Sequence, residues 1–191
     1  MGSIEDLEKY AKENNVPIMQ KDGINFLKKY ISGHNIKNIL EIGSAIGYSA
    51  IQMALVNKEI KIVTIEKDEA RYKKAIENIK DFNLEKQIKI ILSDALEIEV
   101  DGKFDLIFID AAKAQSIKFF EKYKKNLNPK GIIITDNLNF HGLTKKEEIK
   151  SKNLRALVRK INNYKKFLEE NQEFKTTFYD LGDGVSISIL K

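Results

Sequence analysis

The stretch Asn38-Ile-Leu-Glu-Ile-Gly-Ser-Ala-Ile-Gly47 is the clearest indication of the fold class, because it runs from an apolar segment through a glycine turn into a helical pattern. Residues 38–42 are predicted to form a buried strand that ends at Gly43, and residues 48–56 the helix that follows. Small residues in such a turn let the backbone approach a ligand, and a helix N-terminus favours polar or anionic groups. The turn lacks the G-x-G-x-x-G spacing of dinucleotide-binding proteins, and the alternative is a tight turn without a ligand.

Strand-type and helix-type segments alternate outward from this turn, which predicts an α/β fold. We expect a doubly wound, mostly parallel seven-stranded sheet with right-handed crossovers and an antiparallel C-terminal hairpin, whose turn is Leu181-Gly-Asp-Gly184. One domain is expected over residues 1–191, in which residues 1–35 form an N-terminal helical cap. The predicted helices are residues 4–14, 21–32, 48–56, 69–82 (with Asp68 as N-cap), 114–127 and 144–171. The predicted strands are residues 38–42, 60–65, 88–92, 104–109, 131–135, 174–179 and 185–190.

The composition restricts the chemistry that this chain can use. It has no cysteine, which excludes disulfides, thiolate catalysis and cysteine-based metal sites. No apolar run reaches the roughly 18 residues of a membrane span, and the N-terminus shows no secretory pattern. We therefore expect a cytoplasmic protein with no membrane partner.

The net charge of +5 is concentrated in one segment. Residues 141–170 contain nine basic and four acidic side chains, so this segment alone accounts for the whole excess. A concentrated basic segment suits a polyanionic partner such as a nucleic acid. The alternative is that it forms an ordinary solvated, lysine-rich helix face.

Two further strings each end an apolar run in acid or amide: Phe108-Ile-Asp-Ala-Ala-Lys113 and Ile134-Thr-Asp-Asn137. In an open α/β sheet, ligands bind outside the carboxyl ends of the strands, where Asp110, Asp136 and Asn137 would meet. Their oxygens are of the kind that Mg²⁺ prefers, and Lys113 is placed to act as a general base. The alternatives are a helix cap and a turn for the acids and amide, and a surface position for the lysine.

Acidic residues after the second and third predicted strands indicate a nucleoside ligand. Glu66 follows Gly43 by 23 residues, the position at which an acid grips the hydroxyls of a ribose. Asp94, in Ser93-Asp-Ala95, could reach an adenine. The alternatives are an ordinary exposed glutamate and an aspartate that caps the next turn.

Taken together, these residues resemble the metal-dependent O-methyltransferases of the catechol and caffeoyl-CoA type, which use S-adenosylmethionine. The resemblance rests on Leu40–Ser49, Thr64–Glu66, Ser93–Ala95 and the two strings above, and it covers nearly the whole chain. It implies that Asp110, Asp136 and Asn137 hold Mg²⁺ and that Lys113 and Asp110 are the catalytic residues. The implied contacts to S-adenosylmethionine are Met19 (from Val16-Pro-Ile-Met19), Gly43, Ser49, Glu66, Asp94, Ala95 and Asp110.

Within that family the chain is most similar to bacterial tRNA 5-hydroxyuridine methyltransferases. The resemblance implies methylation of the 5-hydroxyl at the tRNA wobble position, with the anticodon loop as partner, and a homodimer. The stretches that carry this resemblance include Leu154-Arg-Ala-Leu-Val-Arg159 and Gly182-Asp-Gly184. Two alternatives remain open: O-methylation of a small catechol or phenylpropanoid by the same residues, and a non-catalytic nucleotide-binding or RNA-binding module.

Overall fold

The computed structural model describes residues 2–139 and 151–191, and these contain six α-helices and seven β-strands. The helices are α1 (Ile4–Glu13), α2 (Lys21–Gly33), α3 (Tyr48–Ala54), α4 (Glu69–Asp81), α5 (Ser116–Tyr123) and α6 (Lys152–Glu169). The strands are β1 (Asn38–Ile42), β2 (Lys61–Glu66), β3 (Ile88–Leu92), β4 (Phe104–Ile109), β5 (Leu127–Thr135), β6 (Phe174–Tyr179) and β7 (Val185–Leu190). None of the described helices is long and apolar enough to cross a membrane.

All seven strands form one sheet in the order β3-β2-β1-β4-β5-β7-β6, which confirms the predicted doubly wound architecture. The five strands from β3 to β5 are parallel, whereas β7 runs antiparallel to β5 and β6 antiparallel to β7. The chain builds the sheet outward from β1 in one direction and then outward from β4 in the other. The carboxyl ends of β1 and β4 therefore flank the crevice in which such sheets bind ligands.

Alternating strand residues divide the core between the two faces of the sheet. In β4, Leu106 and Phe108 pack on the face covered by α1, α2 and α3, whereas Ile107 and Ile109 pack on the face covered by α5 and α6. Because successive strand side chains point to opposite faces, both faces of β4 must be apolar. The continuous apolar run of this strand follows from that burial.

The largest departure from the predicted elements lies between α5 and β5. The predicted helix over residues 114–127 is shorter, since α5 is flanked by 3₁₀ turns at Lys113–Gln115 and Lys124–Asn126. Strand β5 begins at Leu127 instead of at residue 131, because Leu127 pairs with Phe104 before an irregularity that holds Pro129. A proline lacks the N–H for the ladder, and a bulge accommodates it.

Local signals placed several element ends correctly. Asp68 caps α4, where its Oδ1 accepts a hydrogen bond of 2.9 Å from the backbone of Arg71. The hairpin of β6 and β7 also forms, although β7 lies inside the sheet and β6 is the edge strand. The predicted long basic helix is seen as α6 with Ser151 as its N-cap, and residues 144–150 of that prediction lie outside the described residues.

Candidate active site

A cavity of about 610 Å³ opens at the carboxyl ends of the parallel strands. This volume lies in the range of small-molecule and cofactor sites, roughly 300–1,000 Å³. The structure brings nearly all the predicted site residues to its wall: Met19, Gly43, Ser49, Glu66, Asp94, Ala95, Asp110, Lys113 and Asn137. Asp136 is the exception, because it lies buried beside the cavity and does not line it.

The turn after β1 requires a glycine because the backbone of Asp110 approaches it closely. Gly43 has a φ of +96°, and a Cβ at this position would collide with the backbone carbonyl oxygen of Asp110. The two strand ends are joined by the Asp110 N–H, which donates to the carbonyl oxygen of Ile42 at 2.9 Å. Gly43 therefore sets how near the Asp110 backbone can come to the turn.

We expect Gly43→Ala to destabilise the protein by about 1–3 kcal/mol, because it adds a clash to a left-handed backbone. In a chain of this size, that corresponds to a fall in melting temperature of at least ~2 °C, measurable by differential scanning fluorimetry. Gly33→Ala is the matched control, since a Cβ on Gly33 would meet nothing within 4 Å. An equal loss in both variants would contradict the role assigned to Gly43.

Asp110 is the centre of the polar cluster in the cavity. Its Oδ1 accepts a hydrogen bond of 2.8 Å from the Nζ of Lys113 and one of 2.9 Å from the Nδ2 of Asn137. Lys113 stands in the 3₁₀ turn that follows β4, and the exposed fraction of its side chain is only 14%. Asn137 has a φ of +65°, which asparagine tolerates better than most residues.

The pKa of Asp136 is strongly shifted from its ordinary value. Burial, with the charge of Asp110 next in importance, raises the pKa of Asp136 to about 7. Its Oδ1 has no hydrogen-bond partner among the described residues, an unfavourable position for a buried acceptor. A divalent cation would neutralise both carboxylates, so the donor set fits such a group.

The candidate cation ligands are two carboxylates and one amide. Residues 2–139 and 151–191 hold no cluster of three or more histidine or acidic side chains with metal-binding geometry. The Nδ2 of Asn137 faces Asp110, so ligation through its Oδ1 requires the amide group to turn over. Asp110, Asp136 and Asn137 therefore remain the candidate donor set among the described residues.

Glu66 lies at the end of β2, where an acid was predicted to grip a ribose. It accepts hydrogen bonds of 2.7–2.9 Å from the backbone N–H groups of Ala45, Lys67 and Asp68. These bonds hold its carboxylate against the glycine turn, and the side chain still borders the cavity. The alternative of an ordinary exposed glutamate is wrong, because the residue is only 6% exposed.

Asp94 borders the cavity and also opens a turn, and its contact with an adenine stays a prediction. Its Oδ1 accepts a hydrogen bond of 2.8 Å from the backbone of Leu96, as a residue that opens a turn does. Its neighbour Ala95 is buried in the cavity wall, and the Ala95 carbonyl oxygen accepts a hydrogen bond from the hydroxyl of Tyr123. The two positions therefore shape the wall near the end of β3.

Met19 reaches the cavity from the segment between α1 and α2, and Ser49 reaches it from α3. Met19 is 3% exposed and packs closely on Gly23 of α2, where any added Cβ would lie 2.9 Å from the Met19 Cε. Ser49, in the first turn of α3, donates its hydroxyl to the Oε1 of Glu41 at 2.5 Å. The Ser49 hydroxyl is therefore already engaged with a buried acid.

Two residues that were not predicted as functional belong to the site. Glu41 in β1 is fully buried, accepts hydrogen bonds from Ser49 and Thr64, and has its pKa raised to about 7 by burial. The signal that could have identified it is a charged residue inside an otherwise apolar strand. Leu157 of α6 lines the cavity, and no comparable signal marks it in the sequence, because aliphatic residues on helices usually serve the core.

Comparisons with known proteins agree with this geometry. The family described as O-methyltransferase matches residues 2–191. Tapetum-specific methyltransferase 1 of Arabidopsis thaliana is 31% identical over 92% of this chain and 77% of its own length. Caffeoyl-CoA O-methyltransferase of Populus kitakamiensis is 29% identical over 94% of this chain and 80% of its own. Catechol O-methyltransferase of Niastella koreensis is 36% identical over 53% of this chain and 49% of its own.

Solved structures give the same result. A Staphylococcus aureus protein, provisionally assigned as a caffeoyl-CoA O-methyltransferase, is 40% identical with a TM-score of 0.95, over 100% of this chain and 93% of its own. An O-methyltransferase of Bacillus cereus in complex with S-adenosylhomocysteine (SAH) is 27% identical with a TM-score of 0.82, over 98% and 90% of the two chains. These matches extend the similarity across the whole cavity.

Proposed function

This chain belongs to the S-adenosylmethionine-dependent O-methyltransferase family of the caffeoyl-CoA and catechol type, and from that premise we propose that it methylates one of two adjacent oxygens on a small phenolic acceptor, with Mg²⁺. The observation that carries the proposal is the pairing of Asp110 and Asp136 beside Lys113, at the edge of a cofactor-sized cavity.

The cofactor side of the proposed site is formed by the ends of β1, β2 and β3. Glu66 would accept the ribose hydroxyls, and Gly43 would let the backbone pass close to the cofactor. Met19 would cover it from the N-terminal cap (residues 1–35), which on this proposal belongs to the same domain. S-adenosylmethionine, when bound, supplies a methyl group on a positively charged sulfur.

The cation side would be held by Asp110, Asp136 and Asn137. Mg²⁺, when bound, would lower the pKa of an acceptor hydroxyl and favour an acceptor with a second oxygen beside it. Asp136 supports the proposal because its buried carboxylate lacks a hydrogen-bond partner at Oδ1 among the described residues. Such a carboxylate is stabilised by a cation far more than by the apolar side chains around it.

Lys113 would take the proton from the acceptor hydroxyl. Its Nζ lies 2.8 Å from Asp110, so the amine is positioned at the edge of the cation site. The deprotonated acceptor oxygen would be the nucleophile for the methyl group that the cofactor supplies, and the electron pair of the carbon–sulfur bond would leave with sulfur. Holding the oxygen and the methyl carbon in line supplies much of the acceleration.

The names of the curated relatives favour a small phenolic acceptor over the tRNA implied by the closest resemblance in sequence motifs. Two of these relatives are named as a caffeoyl-CoA O-methyltransferase and a catechol O-methyltransferase, and both named substrates are phenolic. A catechol offers adjacent oxygens, as the proposed site requires. Homodimerisation and a cytoplasmic location stay predictions, which light scattering and cell fractionation would test.

The tRNA wobble position, with its 5-hydroxyuridine, is the second candidate acceptor because of one observation on α6. Residues 152–169 carry six basic side chains and one acidic side chain, and Arg159 and Lys160 are exposed to solvent. Leu157 of the same helix lines the cavity, so phosphates held by the basic face would place an attached base near Lys113. Lys145, Lys146 and Lys150 of the basic segment lie outside the described residues.

An acceptor assay tests the proposal directly. Purified protein with methyl-labelled S-adenosylmethionine and Mg²⁺ would be offered catechol, caffeic acid, caffeoyl-CoA and, separately, tRNA that contains 5-hydroxyuridine. We expect label on the catechol-type acceptors and none on phenol, which has a single hydroxyl. Chelation by EDTA should abolish the transfer.

The same assay decides between the acceptors. Transfer to tRNA alone would replace the small phenol by the second candidate, and transfer to no acceptor would contradict the proposed function. Arg159→Ala with Lys160→Ala serves as the matched variant. If tRNA is the acceptor, this pair of substitutions should reduce the slope of log K for tRNA binding against log salt concentration by about one per residue. Catechol turnover should stay unchanged.

A further inference from the structure

Among the described residues, Arg71 is the only arginine that lines the cavity. The chain has 30 lysines and three arginines, and the other two arginines, Arg155 and Arg159, lie in α6. Arginine differs from lysine in its flat, delocalised guanidinium group, which is weakly hydrated and stacks on aromatic planes. An arginine at the wall of this cavity is therefore suited to a flat group on a ligand.

The inner face of α4 directs Arg71 toward the cavity. Two later residues of this face pack on the turn after β1. A Cβ on Gly47 would lie 3.4 Å from the Cβ of Ala75, and the Nδ2 of Asn78 donates to the carbonyl oxygen of Ile46 at 2.8 Å. Arg71 precedes Ala75 by four residues, so it lies on the same face one turn earlier. Helix side chains lean toward the helix N-terminus, and α4 begins just after β2, where the cavity opens.

The side chain of Arg71 is partly buried without a protein partner in the described part of the chain. Residues 67–70 are all exposed, whereas Arg71 is only partly exposed. Its backbone N–H donates to Asp68, but its guanidinium makes no hydrogen bond or ion pair with residues 2–139 and 151–191. Charged side chains that leave the solvent are normally paired. The donors and flat faces of this guanidinium are therefore available to a ligand.

The order of the strands indicates which part of the cofactor lies beside Arg71. The methyl group must lie near the end of β4, where Lys113 stands, and the ribose is proposed to lie at Glu66, at the end of β2. In the order β3-β2-β1-β4, the adenine then lies beyond the ribose, at the end of β3. Asp94 lines the cavity there, and α4 packs against both β2 and β3. Arg71 therefore borders the part of the cavity that receives the base.

We propose that Arg71 is a cofactor-binding residue whose guanidinium lies flat on one face of the adenine of S-adenosylmethionine. The inference rests on the proposed function, because it takes the ribose to lie at Glu66 and the methyl group near Lys113. Guanidinium planes are known to cover the faces of nucleobases, and a cation over an aromatic ring is attracted by the ring electrons. The contact breaks no ion pair of the described residues, since Arg71 has none there.

The experiment measures the binding of two probes by isothermal titration calorimetry, without metal or acceptor. The probes are S-adenosylhomocysteine and 5′-methylthioadenosine, which share adenine and ribose, but only the first has an amino-acid carboxylate. We expect Arg71→Ala to raise the Kd of both probes by a similar factor, about five- to thirtyfold, as for a cation–π contact that excludes water. The factors should be similar because the amino-acid part takes no part in the contact.

Two further variants separate stacking from charge. Arg71→Lys keeps the charge but loses the flat face, so its Kd for both probes should rise at least about threefold. Lys73→Ala is the matched control, because it removes a cation from the same helix at an exposed position outside the cavity. Its Kd values should stay within about twofold of the wild type, since solvent screens an exposed charge.

Several results would overturn the proposal. They are an unchanged Kd in Arg71→Ala, binding by Arg71→Lys equal to that of the wild type, and an equal rise in Lys73→Ala. A rise for S-adenosylhomocysteine alone would do the same, because it would place the guanidinium at the carboxylate of the cofactor. The melting temperature of ligand-free Arg71→Ala should stay within about 2 °C of the wild type, and a larger fall would assign Arg71 to folding.

The same measurements distinguish this inference from the proposed function. If the wild type binds neither probe, the proposed cofactor site is wrong, and the inference is overturned with it. If the wild type binds both probes and Arg71→Ala binds them equally well, only the inference fails. A wild type that binds both probes but methylates no acceptor contradicts the proposed function, and the Kd values still decide the role of Arg71. Should Arg71→Ala be insoluble, Arg71→Gln gives the same measurement, and insolubility of both beside a soluble Lys73→Ala would overturn the proposal.

Discussion

Lys113→Ala is expected to lower kcat for methyl transfer by about 10²–10⁴-fold, the usual contribution of a positioned general base. Affinity for S-adenosylmethionine should stay within about twofold, because the cofactor side of the cavity is formed by other residues. Single-turnover assays with labelled cofactor measure the first quantity, and isothermal titration calorimetry the second. Since Asn137 still donates to Asp110, the cluster keeps one of its two hydrogen bonds in the variant.

Lys122→Ala is the matched control for this experiment. The side chains of Lys122 and Lys113 are 15% and 14% exposed, and each pairs with a carboxylate, but Lys122 lies outside the cavity. We expect near-normal turnover for Lys122→Ala. Near-normal turnover for Lys113→Ala would remove Lys113 from the mechanism, and an equal loss in both variants would point to general damage.

Asp136→Asn is expected to abolish most binding of divalent cations and, at the same time, to stabilise the metal-free protein at pH 8. The folded-state pKa of Asp136, about 7, lies above its ordinary value of 3.8, so ionisation opposes folding. The stability that protonation provides is present below pH 4 and is lost as the pH rises through 7. Asparagine carries no charge and avoids that loss.

The expected size of the stabilisation in metal-free Asp136→Asn follows from the raised pKa of Asp136. Even a fraction of this shift is worth at least ~1 kcal/mol, or about 2–4 °C in a chain of this length. Thermal melts at pH 5 and pH 8 should show the gain mainly at pH 8, and added Mg²⁺ should raise the melting temperature of the wild type only. A variant that keeps the full Mg²⁺ response would contradict the ligand role of Asp136.

Asp105→Asn gives the opposite sign and serves as the control. Burial acts to raise the pKa of Asp105, but hydrogen bonds from the backbones of Asn38 and Lys37 and from Asn128 outweigh it and hold the pKa below its ordinary value. Ionisation of Asp105 therefore favours folding. The stability that it contributes is present above the ordinary pKa and is lost as the pH falls through the lowered pKa. Asp105→Asn should lower the melting temperature at pH 8 and leave Mg²⁺ binding unchanged.

The fold was predictable because its signals are local. Apolar runs that end in Gly43, Glu66 and Asp110 mark parallel strands, and the turn at residues 181–184 marks a hairpin. The start of β5 was not predictable, because Leu127 joins the sheet by pairing with Phe104, across an irregularity that depends on a residue far away in sequence. Periodicity within a segment carries no information on such pairing.

The candidate site was predictable in its members but not in their arrangement. Strand ends place Asp110, Asn137 and Lys113 together, because the carboxyl ends of neighbouring parallel strands lie at one edge. That Asp136, the residue after β5, is buried and does not line the cavity depends on how the chain packs around it. That Glu41 is buried depends on packing by α3. Both are tertiary properties, which one sequence without its fold does not contain.

The buried Glu41 has a consequence for calorimetry. With a pKa of about 7, this carboxyl carries a proton in a substantial fraction of molecules at neutral pH, and it contacts Ser49 in the wall of the cavity proposed for a cationic cofactor. A positive charge nearby favours the ionised form, so binding would expel part of that proton into the buffer. The observed heat of cofactor binding should then differ between phosphate and Tris, whose ionisation enthalpies differ, and that difference should shrink in Glu41→Gln.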